Sequence, residues 1–305
     1  MAARVARISW NVVTLSPEVS EYVDRVHSLI WERLPEGART SWMGYALGRS
    51  INRRARRRLQ RERCEYTRFL RLRPQLDVVQ RLVSHAAPHS QLRLTVLGCS
   101  TGAELYSFLW AMRSVRRDLN IAATGVDLSS SAIEIARLGR YPQGTRELEG
   151  LSPEEISALF EEDNGTMKVR DWIAEGAQWR SANACDPVLR VALGAQDIVV
   201  ANNFLIHMYP PQDEAALRTV VRLVNPGGYL FVHGVDTDVR ARVVRDLGLA
   251  PVRYKVEDQY MLMDPQNLPT WPFHWSSREP INKRFRNWET RYASVFRVPN
   301  DGDDK

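Results

Sequence analysis

The sequence predicts an α/β fold built on a doubly wound parallel sheet. Three observations carry this. Strand and helix signals alternate from about residue 76 to 250. A glycine-bearing turn, Gly98 to Gly102, joins the first strand of that region to a helix. Asp127 ends the next strand, one helix later.

Taken in order, Leu92–Leu97 is a strand, and Ala103 to Val115 reads as the helix after the turn. Ile121–Val126 is the second strand. Ser129 or Ser130 can cap a helix running to about Leu138, which Gly139 stops. Asn164-Gly165 reads as a hairpin turn. Asp197–Val200 is a buried strand. Asp213 to Val224 is a helix closed by Asn225-Pro226-Gly227-Gly228, and Tyr229–Val232 is the strand beyond it. Three regions are expected: 1–75, a helical Arg-rich N-terminal region; 76–250, the sheet domain; and 251–305, an aromatic-rich C-terminal extension. Its Trp271, Trp275, Trp288 and Tyr292 could wall a pocket, but ordinary packing explains them as well. Asn300 to Lys305 reads as a disordered acidic end.

With 305 residues and 44% hydrophobic content, the chain can bury one sizeable core and a small second unit. It has no run of roughly 18 apolar residues, and Met1 to Arg7 leads into no long apolar stretch. Neither membrane insertion nor a secretory signal is expected. Cys64, Cys99 and Cys185 have no metal-ligand spacing and cannot all pair, which fits a reducing cytoplasm. No metal site is expected. The net charge is +6, and Arg53, Arg54, Arg56, Arg57, Arg58, Arg61 and Arg63 fall in one stretch. Such a block could meet nucleic acid, an acidic protein or an anionic membrane, but a solvated basic helix is the plainer reading. No aromatics interleave with it, so nucleic acid is not the expected partner.

The chemistry concentrates at strand ends, where sheets of this kind bind ligands. Gly98 and Gly102 would let backbone approach a ligand closely. The turn is neither G-x-G-x-x-G nor a phosphate loop, so a nucleoside without phosphates fits better than ATP or NAD. Asp127 could accept hydrogen bonds from both ribose hydroxyls, or merely cap a helix. Asn202, Asn203 and His207 place polar groups at the lip of the same cleft, although His207 could equally be a core histidine.

These residues carry a resemblance. Cys99-Ser100-Thr101-Gly102-Ala103-Glu104-Leu105-Tyr106-Ser107 resembles the C-S-T-G-E-E-P-Y-S of CheR-type methyltransferases. Ala136-Arg137-Leu138-Gly139-Arg140-Tyr141 is similar to A-R-x-G-x-Y, Asn183-Ala184-Cys185-Asp186-Pro187 to N-L-L-D-P, and Thr67-Arg68-Phe69-Leu70-Arg71 to T-x-F-F-R. Leu151-Ser152-Pro153-Glu154-Glu155, Phe160 and Lys168-Val169-Arg170 look like the segment around the family's small β-subdomain. The likeness spans roughly residues 60 to 236. It implies a Rossmann-like class I methyltransferase sheet with a small helical N-terminal region and a short β-subdomain insertion. It also implies S-adenosylmethionine as cofactor, held at the positions of Thr67, Arg71, Glu104, Asp127, Asn183, Ala184, Asn202 and Asn203, to which the reading of the turn adds Gly98 and Gly102. Arg71 and His207 are the implied catalytic positions, Arg71 being suited to hold a substrate carboxylate.

Three departures bear on the acceptor. The family's C-R-N is Ala201-Asn202-Asn203, its tyrosine near the transferred methyl is His207, and Glu65 stands where Asn is usual. A carboxylate acceptor needs only positioning, whereas a hydroxyl or amine benefits from a base. His207 therefore points to a small-molecule oxygen or nitrogen acceptor of a biosynthetic pathway. The alternatives are an acidic protein segment, namely glutamates of a chemotaxis-type receptor, and a non-catalytic cofactor-binding regulator.

Overall fold

The computed structural model describes residues 17–58, 66–209, 211–261, 271–274, 277–300 and 302. Residues 1–7, Arg61, Arg63, Cys64, Glu65, Trp275 and most of the acidic end lie outside the described residues. The chain divides into two compact units, one formed by 1–59 with 269–280, the other by 60–268 with 281–305.

The first unit is helical, with α1 (Pro17–Arg33), α2 (Glu36–Arg39) and α3 (Trp42–Arg58). Its apolar centre is aromatic: Trp271 meets Trp31 edge-on at 5.0 Å and Tyr45 at 5.8 Å. Gly48 is required there, because a Cβ would lie 2.1 Å from the Trp271 ring. Asn52 ties α3 to the carbonyls of Pro272 and His274, and Tyr45 donates to Pro280 O at 2.6 Å. The Arg block is not simply a solvated face, since Arg56 is buried.

The second unit begins with α4 (Arg73–Ser84) and alternates β1 (Gln91–Leu97), α5 (Ala103–Val115), β2 (Asn120–Asp127) and α6 (Ser130–Leu138). A short insertion follows: β3 (Arg140–Pro142), a 3-10 turn (Arg146–Leu148), α7 (Pro153–Leu159), β4 (Phe160–Asp163) and β5 (Thr166–Val169), with sheet order β3-β5-β4, all antiparallel. The β4–β5 turn is Asn164-Gly165 with both φ positive, as a tight hairpin of right-handed strands demands. The chain continues through α8 (Asp171–Ala174), β6 (Ala177–Ser181), α9 (Val188–Leu193), β7 (Gln196–Asn202), α10 (Gln212–Val221), β8 (Val224–His233), α11 (Thr237–Asp246), β9 (Ala250–Pro251), α12 (Val256–Met261), α13 (Trp288–Tyr292) and β10 (Val295–Arg297).

The main sheet has the order β6-β2-β1-β7-β8-β10-β9. The first five strands run parallel, and β10 is antiparallel to both β8 and β9. Leu94, Val96, Val199, Val200, Phe231 and Val232 are fully buried, so the central strands read as continuous apolar runs covered on both faces. The chain runs outward from β1 through β2 to β6, then returns to the other side of β1 as β7. This puts the switch point, where open sheets leave a crevice, between β1 and β7.

Two expectations are corrected. The unit boundaries do not fall at 75 and 251. Phe69, Leu70, Leu72 and Leu76 are buried in the sheet unit, and the supposed C-terminal extension supplies β10. The Asn225–Gly228 turn does not close a helix either. The helix ends at Val221, and these residues lie within β8, where the β7 register slips between Gln196 and Ile198. Asn225 Nδ2 bonds Asp197 Oδ1 at 2.9 Å and holds this irregular stretch against its neighbour.

Candidate active site

The loop after β1 is shaped by left-handed residues: Gly98 (φ 66°), Ser100 (φ 48°) and Gly102 (φ 90°). Gly98 N and Cys99 N both donate to Val126 O, at 2.8 and 3.1 Å, pinning the loop to the end of β2. On the side that a Cβ would take, each of these glycines has a close neighbour. A Cβ on Gly98 would lie 2.9 Å from the Phe204 side chain, and one on Gly102 would lie 2.7 Å from Trp179 and 2.8 Å from Ala136. Aromatic packing and positive φ are what require glycine here.

Asp127 brackets two loops. Its Oδ2 accepts from Ser100 N at 2.7 Å and its Oδ1 from Ser129 N at 2.9 Å. It does not cap α6; Ser129 does, accepting from Ala132 N. A carboxylate has about four acceptor sites, so two backbone bonds leave capacity for ribose hydroxyls.

Glu104 stands in the first turn of α5. With Arg68, Arg71, Leu72, Leu76, Ser107 and Phe108 it lines a small cleft. Burial pushes the Glu104 carboxyl up to about 7, against the opposing pull of a hydrogen bond from Asn202 and the charge of Arg71. Asn202 Nδ2 donates to Glu104 Oε1 at 2.8 Å. The folded state thus holds a proton that the unfolded chain, with an ordinary value of 4.5, has released. This group's contribution to stability accordingly falls as pH rises from about 4.5 to 7, and is level above that.

The segment preceding α4 carries Thr67, which is buried, and Arg71, which lines the cleft. Phe69 anchors it against Tyr106, Tyr141 and Phe160. Leu70 N donates to Ser107 Oγ at 2.9 Å. The insertion stitches the same segment: Phe69 N to Glu147 O at 2.9 Å, Tyr66 OH to Glu149 Oε2 at 3.0 Å, and Arg73 to Glu155. Glu147 also accepts from Thr101 Oγ1 at 3.0 Å, joining the insertion to the β1 loop. Arg71 and Arg146 both lie within 6 Å of the Tyr66 ring, at 5.7 and 5.9 Å. Motif reading missed Tyr66, Arg146 and Glu147, because nothing in the local pattern marks them.

The remaining predicted residues follow the other strand ends. Asn183 Oδ1 accepts from Cys185 N at 3.0 Å in the loop after β6, where Ala184 is buried. Asn203 (φ 61°) follows β7; its N–H bonds His233 O at 2.8 Å and its Oδ1 lies 3.1 Å from His233 Nδ1. His207 ends the 3-10 turn Leu205–His207 after β7, and its N–H bonds Phe204 O. Among the described residues, no group of three or more His, Cys, Asp or Glu could hold a metal, and no helix is long and apolar enough to cross a membrane.

A glycine-turned loop after β1, a carboxylate ending β2 and polar groups ending β7 lie at the switch point of a Rossmann-like sheet of the class I methyltransferase type. Residues 65–241 match the family described as CheR methyltransferase, SAM binding domain. That match covers more than half of the chain, and the protein belongs to this family. It is 29% identical over 153 residues to a chemotaxis protein methyltransferase of Vibrio parahaemolyticus, covering 48% of this chain and 54% of that one. It is 28% identical over 165 residues to the probable biofilm formation methyltransferase WspC of Pseudomonas putida, covering 52% and 38%. The chain spans about half the length of the curated relatives it matches first. Among solved structures it is similar to an O-methyltransferase family protein from Burkholderia thailandensis, at 15% identity and TM-score 0.42, covering 93% of this chain and 71% of the other.

Proposed function

We propose that the protein transfers a methyl group from S-adenosylmethionine to a glutamate carboxylate on an acidic segment of a cytoplasmic signalling receptor. The observation that carries this is the cleft shared by Arg71 and Glu104. Glu104 suits the ammonium of the cofactor's amino-acid end. Asp127 would take the ribose, Asn183 and Ala184 would border the adenine, and Thr67, Asn202 and Asn203 would close the remaining sides. The cofactor supplies a methyl group already activated on a sulfonium. Arg71 would grip the acceptor carboxylate bidentately and aim one oxygen. That oxygen brings its own electron pair, so no side chain has to remove a proton.

The relatives support a protein acceptor over the small molecule that His207 suggested, since theirs are chemotaxis and biofilm-formation names. The test is incubation with methyl-labelled cofactor and an acidic helical receptor fragment, followed by mild alkali. A methyl ester releases its label as methanol. Label that survives alkali would mean an ether or amine product and would overturn the carboxylate reading. Binding of the cofactor without labelling of any acceptor would favour the non-catalytic regulator.

Two further outcomes are expected. Affinity for S-adenosylmethionine should rise from pH 6 to 8, because only ionised Glu104 pairs with an ammonium. Below the Glu104 midpoint the loss should approach tenfold per pH unit. Calorimetry across that range reads it directly, and a flat profile would separate Glu104 from the cofactor. His207→Phe should slow transfer less than about tenfold and leave the pH profile of kcat unchanged, since a carboxylate acceptor needs no base. Loss of a limb near neutral pH would bring back the hydroxyl or amine acceptor.

A further inference from the structure

At the end of β7, Glu104 meets an amide where the family pattern has an arginine. That amide is the last link of a buried chain. Asn202 Nδ2 bonds Gln75 Oε1 at 2.8 Å as well as Glu104 Oε1. Gln75 Nε2 reaches Ser294 Oγ at 3.0 Å. Ser294 donates to Gln259 Oε1 from its N–H at 3.0 Å and its Oγ at 3.2 Å. Gln259 Nε2 donates to Tyr254 O at 2.5 Å and Val252 O at 3.4 Å. Gln75, Ser294 and Gln259 are fully buried and Asn202 nearly so, which puts water out of reach as a substitute partner.

The chain has only one direction. Backbone carbonyls accept and never donate, so they must face the Gln259 NH₂ and turn its Oε1 towards Ser294. The Ser294 proton is spent on that oxygen, which leaves its lone pair for the Gln75 NH₂. Gln75 Oε1 then takes one N–H of the Asn202 NH₂ while Gln75 Nε2 faces Asn202 Oδ1 at 3.4 Å, which leaves the second Asn202 N–H for Glu104. The two backbone carbonyls at the other end of the chain thereby dictate that Glu104 meets a donor.

We infer that Gln75, Ser294 and Gln259 form a one-way amide relay, with Gln75 the positioning residue that locks the Asn202 donor onto Glu104 and so sets how the site receives the cofactor's ammonium. This rests on the reading that Glu104 engages that ammonium. The charged and titratable groups around Glu104 are Arg68 and Arg71 from the segment before α4 and the Cys99 thiol from the β1 loop. None of them belongs to the relay.

The test uses the full chain, S-adenosylhomocysteine as probe, and calorimetry from pH 6 to 8.5 alongside thermal melts. Gln75→Met keeps the length and removes both polar ends. It should weaken binding about tenfold at pH 7, the scale of one hydrogen bond to a charged group, and move the pH midpoint of binding upwards. Ser294→Ala, which barely changes volume, should shift the midpoint the same way by less. Lower melting temperatures with an unchanged affinity and midpoint in both variants would make the network purely structural and overturn the relay. Failure of the wild type to bind at any pH would instead overturn the reading of Glu104, and the relay with it.

Discussion

Replacing Asp127 with alanine is expected to abolish measurable cofactor binding and to lower the melting temperature as well. The carboxylate holds Ser100 N at 2.7 Å and Ser129 N at 2.9 Å, so its loss strands two backbone donors on the two loops that frame the switch point. Hydrogen bonds to a charged group contribute about 1.5–3 kcal/mol each. Losing these together with the ribose contacts should cost at least ~100-fold in affinity, or ~3 kcal/mol. Asp127→Asn should not rescue it: one face of the amide would present N–H to a backbone N–H. Calorimetry with S-adenosylmethionine and a melting curve check both halves. An alanine variant that binds as the wild type does would remove Asp127 from the site.

Replacing Arg71 is expected to separate binding from chemistry. Arg71→Lys keeps the charge in the cleft, and with it most of the electrostatic support for ionised Glu104, so cofactor affinity should change less than tenfold. It loses the planar fork that holds a carboxylate in two places. Transfer should therefore fall by roughly 10²–10³, the scale of losing alignment in a reaction that depends on it. Single-turnover transfer to a receptor fragment, measured beside calorimetric affinity, distinguishes the two. Equal losses in both would make Arg71 a cofactor residue, and loss in neither would exclude it from the reaction.

The elements legible in the sequence were those whose signals are local. The strands β1, β2 and β7 announce themselves by clustered β-branched and leucine residues bounded by turn signals, and α6 by its serine cap and terminating glycine. β6 is hard to see because Ala177–Ser181 is short, with only Ala177 and Trp179 to mark its inner face, and is held by pairing with β2. β9 and β10 are too short to carry a period, and β8 begins inside a stretch that reads as a turn. The site divides in the same way. Glu104, Asp127 and Asn202 stand next to glycine turns and strand ends, where motif reading looks. Gln75 gains meaning only from partners 127 and 219 residues away, and no window of sequence contains both ends of such a bond. Glu147 was hidden for the same reason, its partner Thr101 lying across two intervening helices and two strands.

The helical unit has a consequence for the order in which the protein can be made. Asn52 waits for carbonyl partners 220 and 222 residues further along, and Trp31 and Tyr45 wait for Trp271. On the ribosome, these helices cannot complete their aromatic centre until most of the sheet that lies between them and Trp271 has been synthesised. At the usual 5–20 residues per second, that leaves an incomplete apolar surface exposed for on the order of ten to forty seconds.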